Sequence, residues 1–464
     1  MQPFSFTNLS GAIEIGSNSY SLEVAGRRIL LDAGYHPKKS GLAGLPRLDL
    51  VADDSFDAIV MSHAHQDHIG SLPVAMRRHP RAPVFLTEAT RQLGGIMLHN
   101  SVNVMMAEHA AGADAPPVFS HREVDSTAKR WMSIPLQQRF DLHGERVGSS
   151  GEADVTVEFC DAGHILGSVG TLIRSGGRTF FYAGDVQFDD QSISRGAEFP
   201  DFADEPCDVM IMESTRGDRA LPEGFTRARE EERLMTAIDA VFARGGCVLI
   251  PLFALGKTQE LLAMFHGLRL RGRLRRDCPI YIGGLSAKLT EVYDKLARRT
   301  PRLHPELELL NDVQPYVVSG QNVGDIRLRP GRIFALSSGM MMEKTLSNIV
   351  ARQFLSRPEN AIFFVGYADP ASPAGKLRDV GTGGEISLAA DHPAEPVRCQ
   401  IDAFNFSAHA PREGIRDYVK RAKPRKIIFI HGEPASVEWL TASVRADLPG
   451  TEVLAPPAGV TIEL

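Results

Sequence analysis

Short apolar runs alternate with amphipathic stretches over almost the whole chain, which predicts strands joined by helices. Residues 11–37 read as two short strands turning at Ala25-Gly26, the second closing on Leu30-Leu31-Asp32 ahead of Gly34. An apolar strand over 56–61 follows, with Ser62-His63-Ala64-His65-Gln66-Asp67-His68-Ile69-Gly70 at its C-terminal end. Helices are expected over 72–78 and 87–99 around the strand APVFL, and over 123–132 after an irregular stretch with a loop at 114–118. Strand composition returns at 155–159, 169–174 and 179–183, with a hairpin turn at Gly176-Gly177, and again at 207–213, a buried run ending on Glu213.

A charged helix over 226–244 then sets Leu234, Ile238 and Val241 on one face, and a new unit begins. Apolar strands at 247–253, 278–284, 332–338 and 361–367 alternate with helices at 257–268 and 285–297, the pattern of a parallel α/β domain. The last part, from 396 onward, returns to strand and helix units, with helices at 411–422 and 436–448 around the strand in RKIIFIHGE. No short-period repeat interrupts this order.

Composition narrows the class. The 464 residues suit two or three domains, and 43% hydrophobic with 23% charged residues excludes a disordered or fibrous chain. A formal charge of −6 argues against a coat protein that binds nucleic acid through overall charge, but leaves room for a local basic groove. Five cysteines without a CxxC pair exclude a disulfide framework and a thiolate zinc knot, so a reducing cytoplasm is expected. The start lacks a signal-peptide pattern and no run reaches the roughly 20 apolar residues of a membrane span, so neither secretion nor membrane insertion is expected.

The histidines change the picture. HAHQDH places three imidazoles and one carboxylate within six residues just beyond a buried strand, and metals use neutral imidazole nitrogen and carboxylate oxygen as ligands. DAGHILGS, FYAGD and IIFIHGE put His164, Asp185 and His431 at or near other strand ends. Three histidines on one ion and an Asp-His-His set on another, with Asp185 shared, leave each ion an open position. Two such ions, roughly 3.5–4 Å apart, suit attack of a bridging hydroxide on phosphorus, so phosphodiester hydrolysis fits.

These motifs resemble the metallo-β-lactamase superfamily, and ESTRG, FALGKTQELL, NFSAHA and FIHGE resemble its β-CASP branch, which processes RNA or DNA. Within that branch the chain is most similar to the nucleases that cleave messenger-RNA 3′ ends and their prokaryotic relatives. The resemblance implies an α/β fold, a metallo-β-lactamase αβ/βα sandwich with an inserted parallel-sheet β-CASP domain. It implies two Zn2+ ions, with Mn2+ as a substitute in vitro: His63, His65 and His164 hold one, Asp67, His68 and His431 the other, and Asp185 is shared. Asp32 supports the ligands from behind, although a plain turn carboxylate is the competing reading. Glu213 and His409 match the branch's paired acid and histidine, the carboxylate orienting an imidazole that serves as general acid beside Asp67. Read alone, they are a surface acid and a helix-start residue.

Retention of His431, where DNA-processing relatives commonly carry an aliphatic residue, points to single-stranded RNA as the substrate, cut internally or trimmed 5′ to 3′. The alternatives are a DNA or small-phosphodiester hydrolase with the same centre, and a catalytically weak RNA-binding or scaffold subunit. Arg216 stands where relatives often have Tyr, and either adds a phosphate contact or pairs with a nearby acid. Ser407 is either a phosphate ligand or a helix cap. Ser338, Gly339 and Lys257 lie in strand-to-helix turns that either line an RNA groove or are ordinary connections. The basic runs at 268–276 and 420–426 either meet RNA phosphates or are solvated. The expected domains are 1–215 and 396–464 as two parts of the metal-binding domain, with 216–395 as the cap. A homodimer is compatible with the sequence, and no obligate protein partner is implied.

Overall fold

A computed structural model describes residues 4–11, 14–112, 115–148, 153–320, 328–338, 340–390 and 392–464. The chain divides into two compact units, the first made of Met1–Asp189, Gly196–Leu221 and His409–Leu464, the second of Asp190–Arg195 and Pro222–Ala408.

The first unit is a sandwich of two seven-stranded sheets. One sheet runs in the order Thr461–Glu463, Ser5–Asn8, Tyr20–Val24, Arg27–Leu31, Ala58–Val60, Val84–Leu86 and Trp131–Ser133. Its early strands pair antiparallel and its later ones parallel. The other runs Glu452–Leu454, Lys426–Ile430, Val209–Glu213, Arg178–Tyr182, Val169–Ser175, Val155–Asp161 and Phe140–Asp141, with the parallel pairs at its first end.

Alternate side chains of both sheets, among them Phe6, Leu22, Val60, Phe159, Phe180, Ile211 and Ile428, share one buried core. The opposite face of the first sheet is covered by the helices Leu72–Arg78, Glu88–Ala110 and His121–Ala128, and that of the second by Arg412–Ala422 and Pro434–Asp447. Val209–Glu213, buried at every position, reads as an unbroken apolar run because both its faces are covered.

Two expected elements differ. The helix expected over 87–99 continues to Ala110, since Leu98, Val102 and Met105 extend its buried stripe. The helix expected over 123–132 spans His121–Ala128 instead. A Ser120–Glu123 capping box starts it early, and Trp131–Ser133 is a strand on the end of the first sheet.

The second unit holds a six-stranded, wholly parallel sheet in the order Tyr316–Val318, Ile280–Gly283, Ile333–Leu336, Val248–Pro251, Ala361–Phe364 and Gln400–Ala403. Helices Arg227–Ala243, Lys257–Leu270, Gly284–Lys295 and Leu346–Phe354 accompany it. Because Gln400–Ala403 pairs with Ala361–Phe364, the chain re-enters the first unit at His409 rather than at 396. Among the described residues no helix is long and apolar enough to cross a membrane.

Candidate metal centre

The centre is assembled in the first unit from strand ends and the turns after them. Ala58–Val60 delivers Ser62 to His65 from its C-terminal end, and the one-turn helix Gln66–Ile69 sets Asp67 and His68. That turn sits against backbone: the amide of Asn18 donates to the Asp67 carbonyl at 2.9 Å and that of Gly34 to the Asn18 carbonyl at 2.9 Å. A Cβ on Gly34 would lie 1.8 Å from the Asp67 carbonyl oxygen, so only glycine permits this approach. Asp185 follows Arg178–Tyr182, Glu213 ends Val209–Glu213, and His431 follows Lys426–Ile430.

His63, His65, His164 and Asp185 bring four donor atoms together, and Asp67, His68 and His431 bring three. His65 Nδ1 is 3.1 Å from His63 Nε2 and 3.0 Å from His164 Nε2, and Asp185 Oδ2 is 3.6 Å from each of those two Nε2 atoms. In the other cluster Asp67 Oδ2 is 3.3 Å from His431 Nε2 and 3.8 Å from His68 Nε2. Asp185 Oδ1 is 3.0 Å from His431 Nδ1 and 3.3 Å from His68 Nε2, yet this buried oxygen accepts no well-directed hydrogen bond. A tetrahedral site with bonds of about 2.0–2.1 Å has donor-to-donor edges of about 3.3 Å. The observed spacings bracket that edge, and Asp185 offers one oxygen to each cluster. The residues therefore fit a pair of metal ions.

Electrostatics agrees with the geometry. Burial, with the neighbouring His68, holds His63 well below the usual imidazole range, and burial likewise lowers His65, so both are neutral lone-pair donors. For Asp67 and Asp185 burial opposes ionisation, but His68 and His431 outweigh it and hold both carboxyls well below their ordinary range. Burial also opposes charge on His68 and His431. The carboxylates of Asp185 and Asp67 outweigh it there, raising His68 well above normal and His431 to about 10. The carboxylates thus draw positive charge into a buried centre, and a dication is the group that satisfies them without protons.

Behind these donor residues lie groups that hold them in place. The fully buried Asp32 accepts from Ser62 N at 2.7 Å, Ser62 Oγ at 2.6 Å, Tyr182 OH at 2.5 Å and His68 Nδ1 at 2.7 Å. With its Nδ1 proton held there, His68 turns the Nε2 lone pair toward the centre. Asp32 (φ 59°) and His431 (φ 49°) both sit in the left-handed region, at a cost on the order of 1 kcal/mol each. Thr215 Oγ1 is 3.0 Å from His431 Nδ1, and Asn18 Nδ2 is 3.1 Å from His68 Nε2.

Ser62 and Thr215 are next to motif residues and were within reach of a local reading. Asn18 and Tyr182 carry no sequence signal of their own.

A third cluster joins Asp185, Glu213 and His409. His409 Nδ1 is 3.0 Å from Glu213 Oε2 and 3.2 Å from Oε1, and Glu213 Oε1 also accepts from the amide of Val186 at 2.7 Å. Glu213 is fully buried and the His409 ring lies 4.6 Å from that of His164, so the pair belongs to the same centre. Arg216 is half-buried, and burial together with Arg219 pushes its guanidinium below the usual range against the opposing charges of Glu213, Glu413 and Asp218.

Lys257, Ser338 and Ser407 belong to the second unit. Lys257 Nζ donates to the Phe406 carbonyl, and the Ser338 carbonyl accepts from Met341 N at 3.1 Å and Ser347 Oγ at 2.6 Å. Gly339 lies outside the described residues.

The basic runs are largely internally paired. Arg271 meets Glu231, Arg273 meets Glu232, Arg425 meets Asp208 and Lys426 meets Glu452. His36 and His79, both buried, are engaged with Glu14 and the Ser55 amide, away from the centre's donor sets.

The two-sheet sandwich with its histidine and aspartate donors on strand ends is the metallo-β-lactamase fold, and the parallel-sheet unit is its β-CASP insertion. Residues 27–241 match the beta-lactamase superfamily domain, 258–377 the Beta-Casp domain, and 395–456 the Zn-dependent metallo-hydrolase RNA specificity domain. The chain belongs to the β-CASP branch of the metallo-β-lactamase superfamily.

It is 26% identical to cleavage and polyadenylation specificity factor 73 of Drosophila melanogaster, over 95% of this chain and 61% of that protein. To endoribonuclease YSH1 of Gibberella zeae it is 28% identical, over 92% of this chain and 53% of that one. A probable RNase MJ4 of Methanocaldococcus jannaschii is 26% identical, over 91% of each chain. The chain thus spans 53–63% of the length of several eukaryotic relatives. A protein of unknown function from Enterococcus faecalis V583 shares the fold at a TM-score of 0.59 and 11% identity, over the whole of both chains.

Proposed function

We propose that this chain is a zinc-dependent ribonuclease that hydrolyses phosphodiester bonds in single-stranded RNA, by internal cleavage, by 5′-to-3′ trimming, or both. The observation that carries the reading is the meeting of two donor clusters at Asp185, with His409 held beside them by a buried Glu213. His63, His65 and His164 would hold one ion and Asp67, His68 and His431 the other, with Asp185 between them. When bound, such ions lower the pKa of water and offset the negative charge that develops on the phosphoryl oxygens.

The chain's own groups do the rest. Asp32 keeps the proton on His68 Nδ1, and Glu213 keeps that on His409 Nδ1, so a proton delivered to the leaving oxygen comes from His409 Nε2. Arg216 supplies a fixed positive charge near Glu213 for a substrate phosphate. RNA is favoured by the match to an RNA specificity domain and by His431. Every donor comes from one chain, so one copy suffices for the centre. Five free, buried thiols fit a reducing compartment, and we infer the cytoplasm.

Asp67→Ala and His164→Ala are expected to abolish turnover of 5′- and 3′-labelled RNAs while leaving the circular-dichroism spectrum unchanged. Circular RNA separates internal cutting from end trimming. Full activity in a metal-free variant would sink the mechanism, and equal or greater turnover of DNA would sink the RNA preference.

A further inference from the structure

In the second unit, the neighbouring parallel strands Tyr316–Val318, Ile280–Gly283 and Ile333–Leu336 each set one aromatic residue in register, Tyr316 against Tyr281 and Tyr281 against Phe334. The rings form a row. Tyr316 and Tyr281 stack with centroids 5.1 Å apart at 25°, and Tyr281 and Phe334 at 4.8 Å and 19°. Cross-strand packing accounts for the inner end, where Phe334 is fully buried. It does not account for the outer end, because Tyr316–Val318 is the last strand of the sheet and Tyr316 is 57% exposed. A ring backed by its neighbour on one side and open on the other is a stacking surface already in place, so a flat ligand there orders few side chains on binding.

The charge beside it has mainly one sign. The connections that lead into these strands, 274–279, 314–315 and 328–332, carry Arg275, Arg276, Arg329 and Arg332 against a single acid, Asp277. Arg332 lies over the Tyr281 ring at 5.5 Å, and Arg275 reaches the 328–332 turn, where a Cβ on Gly331 would stand 3.1 Å from its guanidinium. Burial raises the Tyr281 hydroxyl above its usual range, and Arg332 and Arg329 oppose that shift, so both charges act on the row. Arg275, Arg276 and Arg329 are exposed. Arg275 stands 3.8 Å from Asp277, too far for a hydrogen bond, and both groups are open to screening by water.

We propose that the open end of this row is a contact surface for single-stranded RNA, where a base stacks on Tyr316 and neighbouring phosphates meet Arg275 and Arg329. The surface rests on the ribonuclease reading and adds a grip on substrate within the second unit. A second copy of this chain meeting it ring to ring at Tyr316 would bring the same arginines towards themselves, so charge favours the polyanion over self-association. Stacking tolerates any base, so the surface carries little sequence preference.

The test uses the full-length, zinc-loaded chain with His409→Ala as a slowly cleaving background, and anisotropy of a fluorescein-labelled single-stranded RNA of about twelve nucleotides. Tyr316→Ala and Tyr316→Leu are each expected to weaken Kd about tenfold, which is about 1.4 kcal/mol. Tyr316→Phe and Tyr316→Trp keep the background's affinity, since either ring can stack. On an abasic version of the same RNA, Tyr316→Ala no longer differs from the background, whereas Arg329→Gln still weakens binding and lowers the salt slope by about 0.7.

Unchanged affinity in Tyr316→Ala and Arg329→Gln chains that melt like the background would overturn the surface alone, since the background still binds RNA. Equal weakening by Tyr316→Ala on intact and abasic RNA would overturn the stacking. A dimer, seen by light scattering, that Tyr316→Ala dissociates without changing RNA affinity would assign the row to a second copy instead. A zinc-loaded parent that hydrolyses bis(p-nitrophenyl) phosphate but binds no RNA would overturn the surface and the ribonuclease reading together.

Discussion

Asp32 shows how much a single residue behind the donor clusters can carry. Its carboxylate takes four donors, and one of them is the Nδ1 proton that decides which nitrogen His68 turns to the centre. Asp32→Asn replaces an acceptor oxygen with an amide nitrogen and leaves His68 free to choose the other tautomer. Zinc affinity is expected to fall about 10- to 100-fold, read by competition with a chromophoric chelator. An unchanged affinity would reduce Asp32 to a turn carboxylate. His409→Ala addresses a different step. RNA turnover is expected to fall about 10²- to 10⁴-fold while zinc content, measured by mass spectrometry, stays at the parent's level. Loss of zinc in that variant would make His409 a ligand rather than the proton donor.

The elements matter through where they end. Ala58–Val60 and Lys426–Ile430 lie in different sheets, yet each stops where its next turn can reach the centre. The one-turn helix Gln66–Ile69 is too short to hold itself together, so its place is set by backbone contacts with Asn18 and Gly34. Gly34→Ala forces a methyl group into the Asp67 carbonyl and is expected to cost about 1–3 kcal/mol and to lower zinc content with it. Thermal melting with and without added zinc checks both. A variant that melts and loads like the parent would mean the turn can move aside.

This scale also shows what local pattern misses. Trp131–Ser133 is too short to display a period of two, and the buried faces of the helices Leu346–Phe354 and Pro373–Val380 include Ser347, Asn348 and Gly375, which blur an apolar stripe.

For the whole molecule, the thiols offer a test of how completely the two units are closed. All five cysteines are free and buried, and burial pushes Cys160 and Cys399 up to about 12 and Cys278 up to about 11. The folded chain is therefore expected to react very slowly with a disulfide reagent at pH 8, and all five thiols to react after denaturation. The sign of the pH effect follows. Above about pH 9 the unfolded chain sheds thiol protons that the folded chain keeps, so stability falls as pH rises through that window. A melting temperature that climbs from pH 9 to 10.5 would contradict it.

At this scale the basic runs at 268–276 and 420–426, which the sequence left open between RNA phosphates and solvent, set Arg271, Arg273, Arg425 and Lys426 against neighbouring acids.

The sequence by itself determined the alternation of strands and helices, the six-residue histidine motif and the strand-end placement of His164, Asp185 and His431, because each rests on short-range information; the sandwich fold was implied by resemblance to a known family. Tertiary structure decided what those residues do to one another. That Asp185 divides its oxygens between two clusters, that Tyr182 and Asp32 meet at 2.5 Å across 150 residues, and that Thr215 braces His431 are contacts between distant segments. No local pattern encodes such contacts, since they are set by the register and stacking of two sheets.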